Sequence, residues 1–115
     1  ILKESDIISI HVHLSKETKH LLNAKNLLNA KPNAYFINTS RGQIVDENAL
    51  SELLVNKNIS GIASDVLYNE FNDIRNNPLW KLQNEGYNVI ITPHIGGATL
   101  DAMWACEEYI VNQVL

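Results

Sequence analysis

A single cysteine, Cys106, is found in the 115 residues, which excludes an internal disulfide framework and points to a reducing, cytoplasmic compartment. No histidine or cysteine lies beside it at ligand spacing, so no metal site is expected and the thiol reads as inert and partly buried. Runs of lysine and arginine are absent and the formal net charge is -4, which argues against nucleic acid or an anionic membrane surface as the main partner. No stretch is long and apolar enough to span a bilayer. The start, ILKES, offers neither an initiating methionine nor a charged-then-apolar leader, so the chain reads as a piece of something longer. What is present is an ordinary globular composition, 45% apolar and 19% charged, enough for one domain with a core of its own.

Periodicity supplies the elements. Residues 6–12 (DIISIHV), 34–38 (AYFIN), 59–65 (ISGIASD) and 88–92 (NVIIT) are short apolar runs with strand character. Asn23 caps an expected helix over 24–30, stopped by Pro32. Asp46 caps a second whose Ala49, Leu50, Leu53 and Leu54 share one face, and Thr99 caps a third with Leu100, Met103, Trp104, Val111 and Val114 as its apolar stripe. The leucine pairs at 21–22, 27–28 and 53–54 are assigned to the core. Residues 66–87 read as a long irregular segment, which in a compact domain either holds a site or hides an element. The alternation predicts the α/β class: half of a doubly wound, Rossmann-type parallel sheet with flanking helices.

Each reactive cluster directly follows an expected strand: His11 and His13 the first, Arg41 the second, Asp65 and Glu70 the third, His94 the fourth. In an open parallel sheet ligands bind outside the carboxyl ends of the strands, so these residues should converge on one rim. His94 sits between Pro93, which stiffens the backbone, and Gly96-Gly97, which allow close approach. A histidine so held suits proton transfer, with Glu70 as its orienting carboxylate. Arg41 suits a carboxylate or a carbonyl, because its guanidinium forks two hydrogen bonds. His11 has an equal claim to being a hydrogen-bonded histidine at a strand end, and His20 reads as surface.

Three ordered motifs, INTSRGQIVD (37–46), GIASDV (61–66) with Glu70, and TPHIGGAT (92–99), resemble the D-isomer-specific 2-hydroxyacid dehydrogenases, and SDIISIHVHLSKET (5–18) is similar to that family's strand and following loop. The resemblance implies that Arg41, Glu70 and His94 form the catalytic set: Arg41 binds the substrate's carboxylate and carbonyl, His94 is the acid/base and Glu70 its partner. It implies a cofactor path along Val12, His13, Thr18, Thr39, Ser40, Arg41, Asp65, His94, Gly96 and Gly97, with Asp65 at the nicotinamide carboxamide. NAD is the implied cofactor and a small 2-hydroxy or 2-oxo acid the implied substrate. A homodimer is the implied assembly, with no nucleic-acid or membrane partner.

Departures from the family pattern are His13 and Phe71, each standing where proline is usual, and both bear on local backbone rather than on a reacting group. Glu70 stands where the formate dehydrogenase branch has glutamine, which favours a 2-hydroxy acid over formate. No G-x-G-x-x-G occurs, so the loop that cradles a dinucleotide's pyrophosphate is not in this chain, nor is the acidic residue that separates NAD from NADP, which leaves NADP open. The expected domain is therefore the C-terminal portion of an NAD-binding domain, 1–115, without the glycine-rich half or the substrate domain, and inactive by itself. The competing reading is an NAD(H)-sensing, corepressor-like binding module of the same fold, since fold alone does not settle function. A stable folding remnant with an exposed first-strand edge is the third, and it predicts self-association.

Overall fold

The computed structural model describes residues 1–114. In chain order these form β1 (Ile7–Ile10), α1 (Ala24–Leu27), β2 (Tyr35–Asn38), a 3-10 turn (Gly42–Ile44), α2 (Glu47–Val55), β3 (Gly61–Ser64), a second 3-10 turn (Ile74–Asn76), α3 (Pro78–Asn84), β4 (Val89–Ile91) and α4 (Leu100–Val114). The strands make one parallel sheet in the order β1-β2-β3-β4. Sequential order with crossovers of a single hand places every connecting helix on the same face, and α1 touches α2 while α2 touches α3. This is the expected Rossmann-type α/β architecture.

Strand alternation builds the core. Ile8, Phe36, Ile62 and Val89 align across the sheet and are all buried, packing against Leu27 of α1, Leu50, Leu53 and Leu54 of α2, and Leu79 and Leu82 of α3. On the opposite face Ile7, Tyr35 and Ile90 are exposed. The sheet is therefore covered on one side only. Among the described residues no helix is long and apolar enough to cross a membrane.

Several expectations are corrected. The first helix ends at Leu27 rather than at 30, because Asn29 and Ala30 donate three residues back, to Asn26 and Leu27, and the chain tightens into a turn. Leu28 thereby leaves the core and is exposed, as is Leu21, while Leu27, Leu53 and Leu54 are buried. Residues 66–87 are not structureless: they contain α3, whose Leu79 and Leu82 are core. Cys106 is exposed rather than partly buried, since α4 buries none of its residues. The strands are each shorter than their apolar runs, so Val12 and Asp65 lie just past the ends of β1 and β3.

Candidate active site

The segments that follow the carboxyl ends of the strands carry the candidates, and two clefts there hold most of them: one has Val12, His13, Ser40 and Arg41, the other Asp65, Glu70 and His94. Asn38, the last residue of β2, sets the turn that follows: its Oδ1 accepts the Ser40 amide at 3.0 Å and its Nδ2 donates to the Arg41 carbonyl at 3.0 Å. Ser40 ties this turn to β1 by donating to the Ile10 carbonyl at 2.8 Å. Arg41 is exposed, and its guanidinium donates to the Ser40 carbonyl at 2.6 Å and makes no ion pair among the described residues. After β1, the Thr18 hydroxyl donates to the His13 carbonyl at 2.7 Å and folds that segment back toward the rim. His11, Val12, His13, Leu14, Ser40 and Arg41 line a cleft of about 420 Å³. Thr39 is exposed beside it, and His11 also bonds Ser9 at 2.7 Å, as a histidine at a strand end would.

Two strands further along, His94 and Glu70 meet. Nδ1 of His94 lies 2.6 Å from Oε1 of Glu70, and Oε2 of Glu70 accepts the Leu67 amide at 3.0 Å. An ionised carboxylate only accepts, so the pair holds the proton on Nδ1 and leaves Nε2 for other chemistry. Glu70 is well covered and His94 about one-third exposed. Both line a cleft of about 330 Å³ together with Asp65, Phe71, Trp80 and Thr92. Arg41 is in neither this cleft nor a hydrogen bond with the pair; β3 and Asp65 stand between.

The backbone at His94 is left-handed, with φ +54, a conformation that costs a non-glycine residue roughly 1–2 kcal/mol. Asp65 holds the turn. Its Oδ1 accepts the Thr92 hydroxyl and, at 3.0 Å, the Ile95 amide, and its Oδ2 accepts the Gly96 amide at 2.9 Å. Burial pushes the Asp65 carboxyl up, but the bonds from Thr92, Gly96 and Ile95, with His94 nearby, outweigh it and hold the group below its ordinary value. A Cβ on Gly97 would meet nothing within 4 Å, so that side of the turn is open.

Residue patterns missed one part of this arrangement. Glu47, directly after the Asp46 cap, is buried and accepts the Tyr68 amide at 2.8 Å and Asn77 Nδ2 at 2.6 Å. Burial raises its carboxyl above the ordinary value against the pull of those two bonds, and the charge of Glu70 adds to the rise. An acid in a first helical turn is ordinarily solvated, so the sequence carries no mark of this burial. The larger cleft, about 550 Å³, lies on the outer side of Glu47 among His20, Asn48, Asn69 and Asn72, and touches neither Arg41 nor His94.

Comparison with known proteins gives the same direction. Residues 1–96 match the model of the D-isomer specific 2-hydroxyacid dehydrogenase, NAD binding domain. The chain is 44% identical over 115 residues to a glyoxylate reductase of Thermococcus litoralis, covering all of this chain and 33% of that protein. It is 39% identical over 102 residues to a D-3-phosphoglycerate dehydrogenase of Escherichia coli, covering 89% of this chain and 25% of the other. A crystal structure of D-lactate dehydrogenase from Aquifex aeolicus, complexed with NAD and lactic acid, superimposes with a TM-score of 0.75 at 36% identity, over 98% of this chain and 37% of that one. The chain spans about a third or less of the length of these curated relatives.

Proposed function

The chain belongs to the D-isomer specific 2-hydroxyacid dehydrogenase family, as its NAD-binding domain, and we propose that it forms the C-terminal portion of that domain in a longer oxidoreductase moving a hydride between NAD(H) and a small D-2-hydroxy or 2-oxo acid. The observation that carries this reading is the His94–Glu70 pair at 2.6 Å on the strand-end rim. Glu70 fixes the imidazole with its proton on Nδ1. Nε2 then takes the substrate's hydroxyl proton during oxidation and returns one to the carbonyl oxygen during reduction. Arg41, with no acidic partner among the described residues, holds the substrate's carboxylate and polarises its carbonyl.

The chemistry of the rim fits a dinucleotide. The open cleft of Val12, His13, Ser40 and Arg41 joins polar groups to a cation that has no ion pair among the described residues; Thr18 braces its His13 wall by donating to the His13 carbonyl, and Thr39 precedes Ser40 in the chain. Asp65, Gly96 and Gly97 border the same rim beside His94, where the open side of the turn leaves room for a flat ring. NAD(H), when bound, supplies or accepts the hydride at the substrate's C2. The assembly expected of the longer protein is a homodimer.

Hydride transfer by the longer protein, followed by nicotinamide absorbance across a panel of D-2-hydroxy and 2-oxo acids with NAD(H) and NADP(H), tests the reading. His94→Ala should lower kcat by roughly 10²- to 10⁴-fold, the range of general acid–base catalysis. Arg41→Ala should raise KM through the lost carboxylate contact and lower kcat through the lost polarisation of the carbonyl. Cofactor binding with no turnover of any acid would replace this reading with a binding module.

A further inference from the structure

Glu47 places a carboxylate where an apolar side chain would cost less. It is 6% exposed, and neither of its hydrogen bonds serves its own helix. Both reach across to the segment between β3 and α3, at Tyr68 and Asn77, on either side of Glu70. Asn77 is committed on both sides: its Nδ2 donates to Glu47 at 2.6 Å and to the Tyr68 carbonyl at 3.4 Å, while its Oδ1 caps α3 by accepting the Leu79 amide at 2.9 Å and the Trp80 amide at 3.3 Å. A buried charge held by such bonds is weak evidence for stability, and its best-attested use is to fix one arrangement against others.

The peptide so fixed is the one that carries the site. A Cβ on Gly42 would lie 2.1 Å from the Tyr68 nitrogen and 2.2 Å from the Leu67 carbonyl carbon, so the backbone just after Arg41 rests directly on the Leu67–Tyr68 peptide. The Leu67 amide in turn donates to Glu70 at 3.0 Å, and Glu70 meets His94 at 2.6 Å. One short stretch of chain thus touches the Arg41 turn on one side and holds the partner of His94 on the other.

We propose that Glu47 is a positioning residue: by accepting the Tyr68 amide and bracing Asn77 it fixes the Leu67–Glu70 segment, aims the Glu70 carboxylate at Nδ1 of His94, and keeps that pair in register with the Arg41 turn. The role rests on the reaction proposed above, but the geometry it governs is measurable without turnover. Glu47→Gln keeps the shape and replaces one acceptor oxygen by an amide donor, which then faces the Tyr68 amide or the Asn77 amide group, donor against donor. Adding Asn77→Asp puts an acceptor opposite that new donor and still leaves an oxygen to cap α3, giving up only the long 3.4 Å bond to the Tyr68 carbonyl.

The test is the ¹⁵N spectrum of the His94 ring in the labelled chain, with Glu70→Ala as the reference for a broken pair. Glu47→Gln should move the ring shifts toward that reference, and Glu47→Gln with Asn77→Asp should return them to wild type. Ring shifts unmoved in a folded Glu47→Gln chain would overturn the role, as would failure of the folded double variant to restore them. Should Glu47→Gln not fold, the double variant decides alone: wild-type shifts support the role and shifts like Glu70→Ala overturn it. An inactive longer protein would refute the reaction without altering this reading, and an unmoved ring would refute the positioning role even in an active enzyme.

Discussion

Asp65 joins β3 to the turn that carries His94, and its ionisation state therefore enters the stability of that turn. Its hydrogen bonds hold the carboxyl below its ordinary value of 3.8 despite burial, so the folded chain binds fewer protons at this residue than the unfolded chain does. The stability it contributes is complete above 3.8 and is lost as pH falls through the depressed folded value. Glu47 has the opposite sign: burial, the largest cause, lifts its carboxyl above 4.5, so its contribution is complete below 4.5 and declines as pH rises through the raised value. The two effects have opposite signs: one is an acid limb and the other a decline toward higher pH. Asp65→Asn should therefore flatten the acid limb of stability below 3.8 and leave the slope above 4.5 as it was, read from urea midpoints across a pH series. An acid limb as steep in Asp65→Asn as in wild type would refute the assignment.

Helices α2 and α3 end in the same way with different residues. After α2, Lys57 donates to the Leu54 carbonyl and Asn58 to the Leu53 carbonyl; after α3, Gly86 donates to Gln83 and Tyr87 to Leu82. This doubled closing pattern requires a left-handed residue, and the φ values are +59 at Lys57 and +86 at Gly86. Glycine takes that conformation without penalty whereas lysine does not, so Lys57→Gly should stabilise the chain by about 0.5–1 kcal/mol, less than the full αL penalty because glycine also loosens the unfolded chain. A lowered urea midpoint would show that the Lys57 side chain contributes something its exposure conceals. The same signals explain what was legible. Asn77 as cap, Pro78 at the first position and Gly86 past the end mark α3 in the sequence, yet with seven residues and only Leu79 and Leu82 buried it has too little apolar periodicity to stand out. Asp46 and Thr99 were readable as caps because longer apolar patterns follow them, and the structure has both, with Ala49 donating to Asp46 at 3.1 Å and Ala102 to Thr99 at 3.2 Å. The strand-end positions of Arg41, Asp65 and His94 were readable for a similar reason, each closing an apolar run. Glu47 was not, because its partners lie 21 and 30 residues away and only the packing of α2 against α3 brings them near.

At the scale of the molecule, what periodicity cannot supply is the surface an amphipathic element will meet. The stripe expected on the last helix is there, Leu100, Met103, Trp104, Val111 and Val114 at helical spacing with Ile110 beside them, but every one of these residues is exposed and α4 buries nothing. Molecular extents of 54 × 31 × 26 Å describe a globule with a projecting arm rather than a closed sphere. The open face of the sheet adds Ile7, Tyr35 and Ile90 to the uncovered apolar surface, and β1 lies at the sheet's edge. Contiguous apolar surface of this kind is seldom left to water, because burial gains roughly 25 cal/mol per Å². Leu100, Met103 and Trp104 at one end of α4 and Ile110, Val111 and Val114 at the other are spaced three and four residues apart, with Glu107 and Glu108 in the interval, which is the spacing of a helix packing against another helix, and a second copy of α4 offers the matching surface. The chain as it stands should therefore self-associate through α4, with sedimentation equilibrium giving a mass above the 12.9 kDa of one chain and Trp104 fluorescence shifting to shorter wavelength as concentration rises. Trp104→Glu should return it to monomer with the urea midpoint that the wild-type chain has at its most dilute, since a side chain 69% exposed is outside the core of the single chain and only association raises the wild-type midpoint as concentration rises. A wild-type chain that stays monomeric over a wide concentration range would mean that α4 does not pair with itself; a Trp104→Glu chain that still associates would transfer the contact to the open face of the sheet or the β1 edge.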